Sequence, residues 1–302
     1  MTDEPTNLPV VVGIDGSKHA RRAAVWAHAE ARDWAVPLKL VYVIDSDAED
    51  FEVMVDEARQ ALDEARAAVM ETGAPVEVKS EILYGDPAAM LIDESRSSRL
   101  VCLGAKGRHD SAAGHRGATA ATIAEFGFCP VTIVRCHPRH GHRADSWIVA
   151  VLGESSVSHG VLQTALDEAV RRNAPVLALP SWPAAVPQSR GTDDDRRLRE
   201  KLDRYLRDTE DDQADVRVCA LPLPPDLTEL LVQTADLDQL VVVGKDRPDL
   251  ITELVGPQAR SALHDTNCSV LVFREAPVPA QPVSDVTANA ATQASTTAVV
   301  TP

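Results

Sequence analysis

The chain alternates between two hydrophobic patterns along its length. Near-continuous apolar runs at 9–15, 38–44, 76–83, 99–104 and 131–135 have the length of strands buried on both faces. Between them, at 17–35, 52–72, 87–97 and 118–127, apolar residues recur at helical spacing. The pattern then starts again. Strands are predicted at 147–152, 176–179, 214–221, 239–244 and 269–273, and helices at 158–173, 193–210, 226–236 and 257–265. Strands of this kind alternating with helices imply a parallel sheet covered on both sides, and right-handed crossovers leave chiefly a doubly wound sheet. The predicted fold class is therefore α/β.

The second set of elements is a copy of the first. Glu30-Ala31 stands before Pro37-Leu38 as Glu168-Ala169 stands before Pro175-Val176, an offset of 138 residues. The strand Leu100–Gly104 matches Leu240–Gly244 at 140, and Cys129-Pro130-Val131 matches Cys268-Ser269-Val270 at 139. So steady an offset marks a duplication. The predicted division is residues 1–143, residues 144–275 and a tail at 276–302. The tail is rich in Ala, Thr, Val and Pro, shows neither period, and reads as disordered. Residues 136–145 form a polar connection, and 180–192, with three prolines and a glycine, read as a loop.

Composition narrows the function classes. A formal charge of −16 over 302 residues makes nucleic acid an unlikely partner, because its phosphates repel such a surface. No apolar run approaches the ~20 residues needed to cross a bilayer, so no membrane association is expected. Residues 1–7 lack a basic segment followed by an apolar stretch, so no secretory signal is expected. The five cysteines have no C-x-x-C spacing and suit a reducing compartment, which points to the cytoplasm.

The chemistry concentrates after the fourth strand. Gly104, Gly107 and Gly117 have the spacing G-x2-G-x9-G. Glycines here allow successive N–H groups to turn toward one anion, and Gly117 opens a helix whose free N–H groups and dipole favour negative charge. Lys106 and Arg108 add cationic side chains. The plainer alternative is a loop with glycines for its turns. At the end of the first strand, Gly13-Ile14-Asp15-Gly16-Ser17 places a carboxylate just before a helix. Asp15 could take hydrogen bonds from a nucleotide's sugar or base; equally, Asp15 or Ser17 could simply cap the helix.

These residues resemble the universal stress protein family in its ATP-binding subclass, whose loop is G-x2-G-x9-G-[Ser/Thr]. The resemblance covers residues 9–135 and, more weakly, 146–274. It implies an adenine nucleotide alpha-hydrolase-like fold with five parallel strands ordered 3-2-1-4-5 in each half. It also implies that Asp15 contacts the adenine end, that Val43 holds the base through its backbone and that Gly13 allows close approach. Gly104 and Gly107 would line ribose and phosphates, with Arg108 in the same loop, and Gly117 would meet the outer phosphates. The family's hydroxyl residue after the last glycine is Ala118 here, with Thr119 next. Losing that hydrogen bond to a charged group costs about 1.5–3 kcal/mol unless Thr119 substitutes.

In the second half, Leu152 is expected where Asp15 stands and Arg247 replaces the second glycine. Gly256 is followed by Pro257 there, so that half is read as degenerate. Cys136, His137, His140 and His142 read as linker residues and His109 and His115 as solvated loop residues, so no metal site and no catalytic residue are predicted. Asp193–Asp195 read as a helix N-terminal acidic cluster.

The expected function is an ATP-binding stress-response sensor or regulator, with Mg²⁺ optional, an unknown protein partner and little or no catalysis. A slow ATPase and a nucleotide-free interaction module are the alternatives. The last strands of the two halves are expected to pair as an intramolecular pseudo-dimer; a homodimer is left open.

Overall fold

In the computed structural model, residues 7–45, 51–108, 119–135, 146–153, 155–180, 200, 216–221 and 224–275 are described. The first half runs β1 (Val10–Ile14), α1 (Lys18–Asp33), β2 (Leu38–Ile44), α2 (Phe51–Met70), β3 (Val78–Tyr84), α3 (Pro87–Glu94), β4 (Leu100–Gly104), α4 (Thr119–Phe126) and β5 (Val131–Val134). The second runs β6 (Ser146–Leu152), α5 (Val157–Arg172), β7 (Val176–Pro180), β8 (Val218–Ala220), α6 (Leu227–Gln233), β9 (Asp238–Gly244), α7 (Pro248–Val255), α8 (Pro257–Ala262) and β10 (Asn267–Phe273).

Local chemistry sets the helix boundaries. Ser17 Oγ accepts from the Ala20 N–H and starts α1, and the Asp86 carboxylate accepts from Ala89 N–H with Pro87 in the first turn of α3. Asp226 does the same for α6 through the Glu229 N–H. α5 stops at Asn173, whose φ of 50° is the left-handed conformation that asparagine tolerates.

The strands join into one sheet ordered β3-β2-β1-β4-β5-β10-β9-β6-β7-β8. Each half shows the 3-2-1-4-5 order. All pairings are parallel except the central one, where β5 and β10 run antiparallel with Ile133 opposite Val270. On one face a single apolar core runs through both halves, from Val11 and Val101 across Ile133 to Val243 and Val272. On the other face each half has its own core, and Trp26 packs against both.

Polar residues reinforce the junction. Buried Arg135, just past β5, donates to the carbonyls of Leu254 in α7 and Cys268 in β10. Arg274, just past β10, donates to the carbonyls of Ala124 and Glu125 in α4. Each arginine thus crosses the seam to the carbonyl end of a helix in the other half, where the dipole favours a cation. Behind the sheet, Arg172 of α5 pairs with Glu30 of α1 at 2.6 Å.

Two sequence expectations change. The stretch expected as a glycine loop between Gly244 and Gly256 instead holds a helix, α7, whose Leu250, Ile251, Leu254 and Val255 are buried. The residue equivalent to Asp15 is Gly153 rather than Leu152. Val10 sits between Leu38 and Leu100 as Ile148 sits between Val176 and Leu240, so Leu152 matches Ile14 and its side chain belongs to the core. Except for Glu200, the expected helix over 193–210 lies outside the described residues, as do the connection 136–145, the loop beyond Pro180 and the tail from 276.

Candidate functional site

β1 and its neighbours create the site by ending at different heights. The last pairing of β1 is Ile14 with Tyr42, whereas β2 continues along β3 to Ile44 opposite Tyr84. Ile44 turns its carbonyl to the Gly85 N–H on the β3 side. Successive residues of a strand point their backbone groups to opposite sides, so Val43 faces the β1 side, where the Ile14–Tyr42 pairing takes its N–H and leaves its C=O beyond the last pairing of β1. β1 is also where the strand order reverses, with β2 on one flank and β4 on the other. In open α/β sheets such a switch point opens a crevice beyond the carboxyl ends of the strands.

The crevice is there. A cavity of about 440 Å³ opens over these strand ends, within the ~300–1,000 Å³ typical of ligand pockets. Gly13, Asp15, Val43, Gly104, Gly107, Arg108 and Thr119 all line it. Gly117 and Ala118 lie outside the described residues, as do His109 and His115.

The carboxylate of Asp15 organises the rim. Its Oδ1 accepts from the Ser17 N–H at 2.9 Å, and its Oδ2 accepts from the Arg108 N–H at 2.8 Å. Ser17 Oγ, besides capping α1, donates to the Lys106 carbonyl at 3.3 Å. The start of α1 and the loop after β4 are thereby tied together. A carboxylate offers about four lone-pair sites, so these two bonds leave Asp15 able to accept from a ligand. At the β1 end, Ser17 caps the helix, while Asp15 lines the crevice and binds the N–H groups of its neighbours.

The glycines serve packing as well as access. A Cβ on Gly104 would lie 2.7 Å from the His19 carbonyl carbon and 2.8 Å from the Ala20 nitrogen, so glycine lets α1 approach β4. A Cβ on Gly13 would meet Leu103 at 2.6 Å and Leu91 at 3.1 Å. At Gly107 the nearest group would be Asp15 Oδ2, at 3.0 Å. The guanidinium of Arg108 is turned along the rim, with Nη1 2.9 Å from Glu57 Oε2 of α2.

Sequence reasoning missed the floor. Val41, Tyr42, Met54, Leu91 and Leu103 line the cavity, and apolar residues in strands and helices carry no mark that separates a pocket wall from a core. Tyr42 beneath the rim has its hydroxyl pKa raised by burial, with Arg108 acting in the other direction.

At the corresponding end of the second half, the described side chains bond to one another. Asp246 folds back over Gly244 and pairs with Ser155, and Gly153 donates to Ser158 Oγ at 2.8 Å. Arg247 pairs with Asp249 at 2.8 Å at the start of α7. Gly153, at the position equivalent to Asp15, supplies no carboxylate.

Comparison with known proteins agrees with the duplicated architecture. The family model described as the universal stress protein family matches twice, at residues 7–135 and 147–274. The chain belongs to the universal stress protein family. One family member from Mycobacterium tuberculosis is 32% identical over 274 residues, covering 90% of this chain and 98% of its own. Another from the same organism is 34% identical over 269 residues, covering 87% and 95%. Among solved structures, a universal stress protein from Archaeoglobus fulgidus superposes with a TM-score of 0.63 over 90% of this chain and 97% of its own, at 14% identity. That likeness concerns the fold.

Among the described residues no group of three His, Cys, Asp or Glu side chains could hold a metal ion, and no helix is long and apolar enough to cross a membrane.

Proposed function

We propose that the first half binds ATP in the crevice beyond β1 and that the chain works as a nucleotide-responsive regulator rather than a catalyst. The observation that carries this reading is the backbone of Val43. Its C=O lies beyond the last pairing of β1 over an apolar floor, placed to accept from the edge of a flat heterocycle. The adenine would lie against Val41, Leu91 and Leu103, with Asp15 accepting from the base or ribose. The phosphates would run toward Gly107, Lys106 and Thr119, which line the same crevice. Mg²⁺ would be held chiefly by the phosphates, since the described residues supply no ligand cluster.

The second half would not bind nucleotide in the equivalent place, because Gly153 supplies no carboxylate there and Asp246 and Ser155 bond to each other beside Gly244. Its role would be to complete the sheet and carry the response, with a cytoplasmic protein partner reading the state of the first half.

Mass spectrometry of small molecules released from the freshly purified, denatured protein tests the reading. ATP or ADP is expected, and its loss in Asp15→Ala would place it in this crevice. An empty protein that also fails to bind ATP in calorimetric titration would refute the proposal. Steady accumulation of ADP during incubation with ATP would favour the slow ATPase instead.

A further inference from the structure

Arg108 is anchored at both ends, by two different carboxylates. Its backbone N–H donates to Asp15 Oδ2 at 2.8 Å, which holds the residue on the crevice rim beside Gly107 and Lys106. Its side chain runs the other way. A Cβ on Gly16 would lie 3.7 Å from Arg108 Nη1 and 3.9 Å from its Cδ, so the side chain crosses the turn between β1 and α1. The guanidinium then reaches α2, where Nη1 lies 2.9 Å from Glu57 Oε2. Among the described residues this carboxylate is its ion-pair partner.

Glu57 does not itself line the crevice, whereas Met54, one turn earlier on the same face of α2, does. The Arg108–Glu57 pair therefore straps the loop after β4 to the helix that walls the crevice. The second half has no counterpart, since Pro248 stands where Arg108 stands when Leu240–Gly244 is matched to Leu100–Gly104.

Relative strength decides what this strap does when a ligand arrives. The two side chains are 44% and 40% exposed, and a pair so open to water contributes at most about fivefold to an equilibrium constant. A phosphate group carries more charge and takes the guanidinium fork through two parallel bonds, the stronger arrangement. The phosphate path proposed above passes Gly107 and Lys106, the two residues that precede Arg108 in the chain. With the backbone of Arg108 already fixed by Asp15, rotation of its side chain alone exchanges one partner for the other.

We propose that Glu57 is a positioning residue that holds Arg108 away from the phosphates, so that ATP binds by taking this guanidinium from the Glu57 carboxylate. The proposal rests on the nucleotide reading above and adds a regulatory step to it. A ligand with phosphates unties α2 from the loop after β4, and one without them leaves the strap closed.

The test is calorimetric titration of the full chain with ATP and with adenosine, at ~0.15 M salt so that distant charges are screened. Glu57→Gln should bind ATP about two- to fivefold more tightly than the wild type and adenosine equally well. Arg108→Gln should weaken ATP several-fold and leave adenosine unchanged. In the Arg108→Gln background, Glu57→Gln should bring little further gain, because the partner that it competes for is gone. Thermal melts of each variant confirm folding. An equal gain in both backgrounds, which a general change of charge would give, overturns the proposal. So does a Glu57→Gln protein that binds ATP no better than the wild type, or one whose gain extends to adenosine. Absence of ATP binding in all four proteins has a different signature: it refutes the nucleotide reading itself, and this proposal with it.

Discussion

Glu30 makes the junction behind the sheet sensitive to pH. It is 2% exposed on α1 and faces Arg171, Arg172 and Glu168 of α5. Burial first, and the charge of Glu168 second, push its carboxyl from 4.5 up to about 7, while Arg172 and Arg171 pull it down. Because the folded value is the higher one, the folded state favours the proton. The resulting stability is fully present below about pH 4.5 and is lost as pH rises through about 7. At about 1.36 kcal/mol per pH unit this amounts to about 3 kcal/mol, most of it lost between about pH 5 and about pH 8. His28 works in the opposite sense. Burial lowers its pKa from 6.5, so its contribution is present above that value and falls as the medium is acidified. Comparison with Glu30→Gln cancels the contribution of His28, whose shift comes from burial, Ala74 and Arg32. Urea unfolding of both proteins across this range should give a stability difference, wild type minus variant, that falls by about 2–3 kcal/mol from the acid to the alkaline end. A difference that stays flat, or rises with pH, would refute the reasoning.

Other consequences can be tested singly. Asp15→Ala releases the Arg108 and Ser17 N–H groups and should weaken ATP binding by about tenfold or more in calorimetry. Gly104→Ala drives a methyl group into the backbone of His19 and Ala20, and urea unfolding should show a loss of about 1–3 kcal/mol. Cys102, Cys129 and Cys268 are buried, with the Cys129 thiol pushed up to about 12 chiefly by burial. Timed alkylation at mildly alkaline pH followed by peptide mapping should label Cys219 in the native protein and these three only after unfolding.

The fold was legible because most strands are buried on both faces and therefore read as unbroken apolar runs. Leu38–Ile44 and Leu240–Gly244 could hardly be anything else. The duplication was legible for the same reason, but its register was not. The offset is 138 at β1 and 140 at β4; at 138 the partner of Asp15 is Gly153, and Leu152 would need 137, a slip of one residue against the register that the strand pairings fix. α7 escaped notice because its eight residues match a stretch of the first half whose sequence reads as a glycine loop, and a short apolar run beside proline carries too little periodicity to overrule that parallel. At the site, Asp15, Val43 and the glycines stood out by type and spacing. Leu91, Leu103 and Met54 did not, since a pocket floor differs from a core only in what lies above it. The contacts of Arg135 and Arg274 were invisible for another reason: their partners lie more than a hundred residues away in the chain, and only the seam brings them together.

That seam also sets a hazard during synthesis. Ile133 waits for Val270, which leaves the ribosome about 140 residues later. At ~5–20 residues per second, the fifth strand spends roughly 7–28 s as a bare edge, the interval in which a nascent chain can capture a neighbour's strand instead of its own.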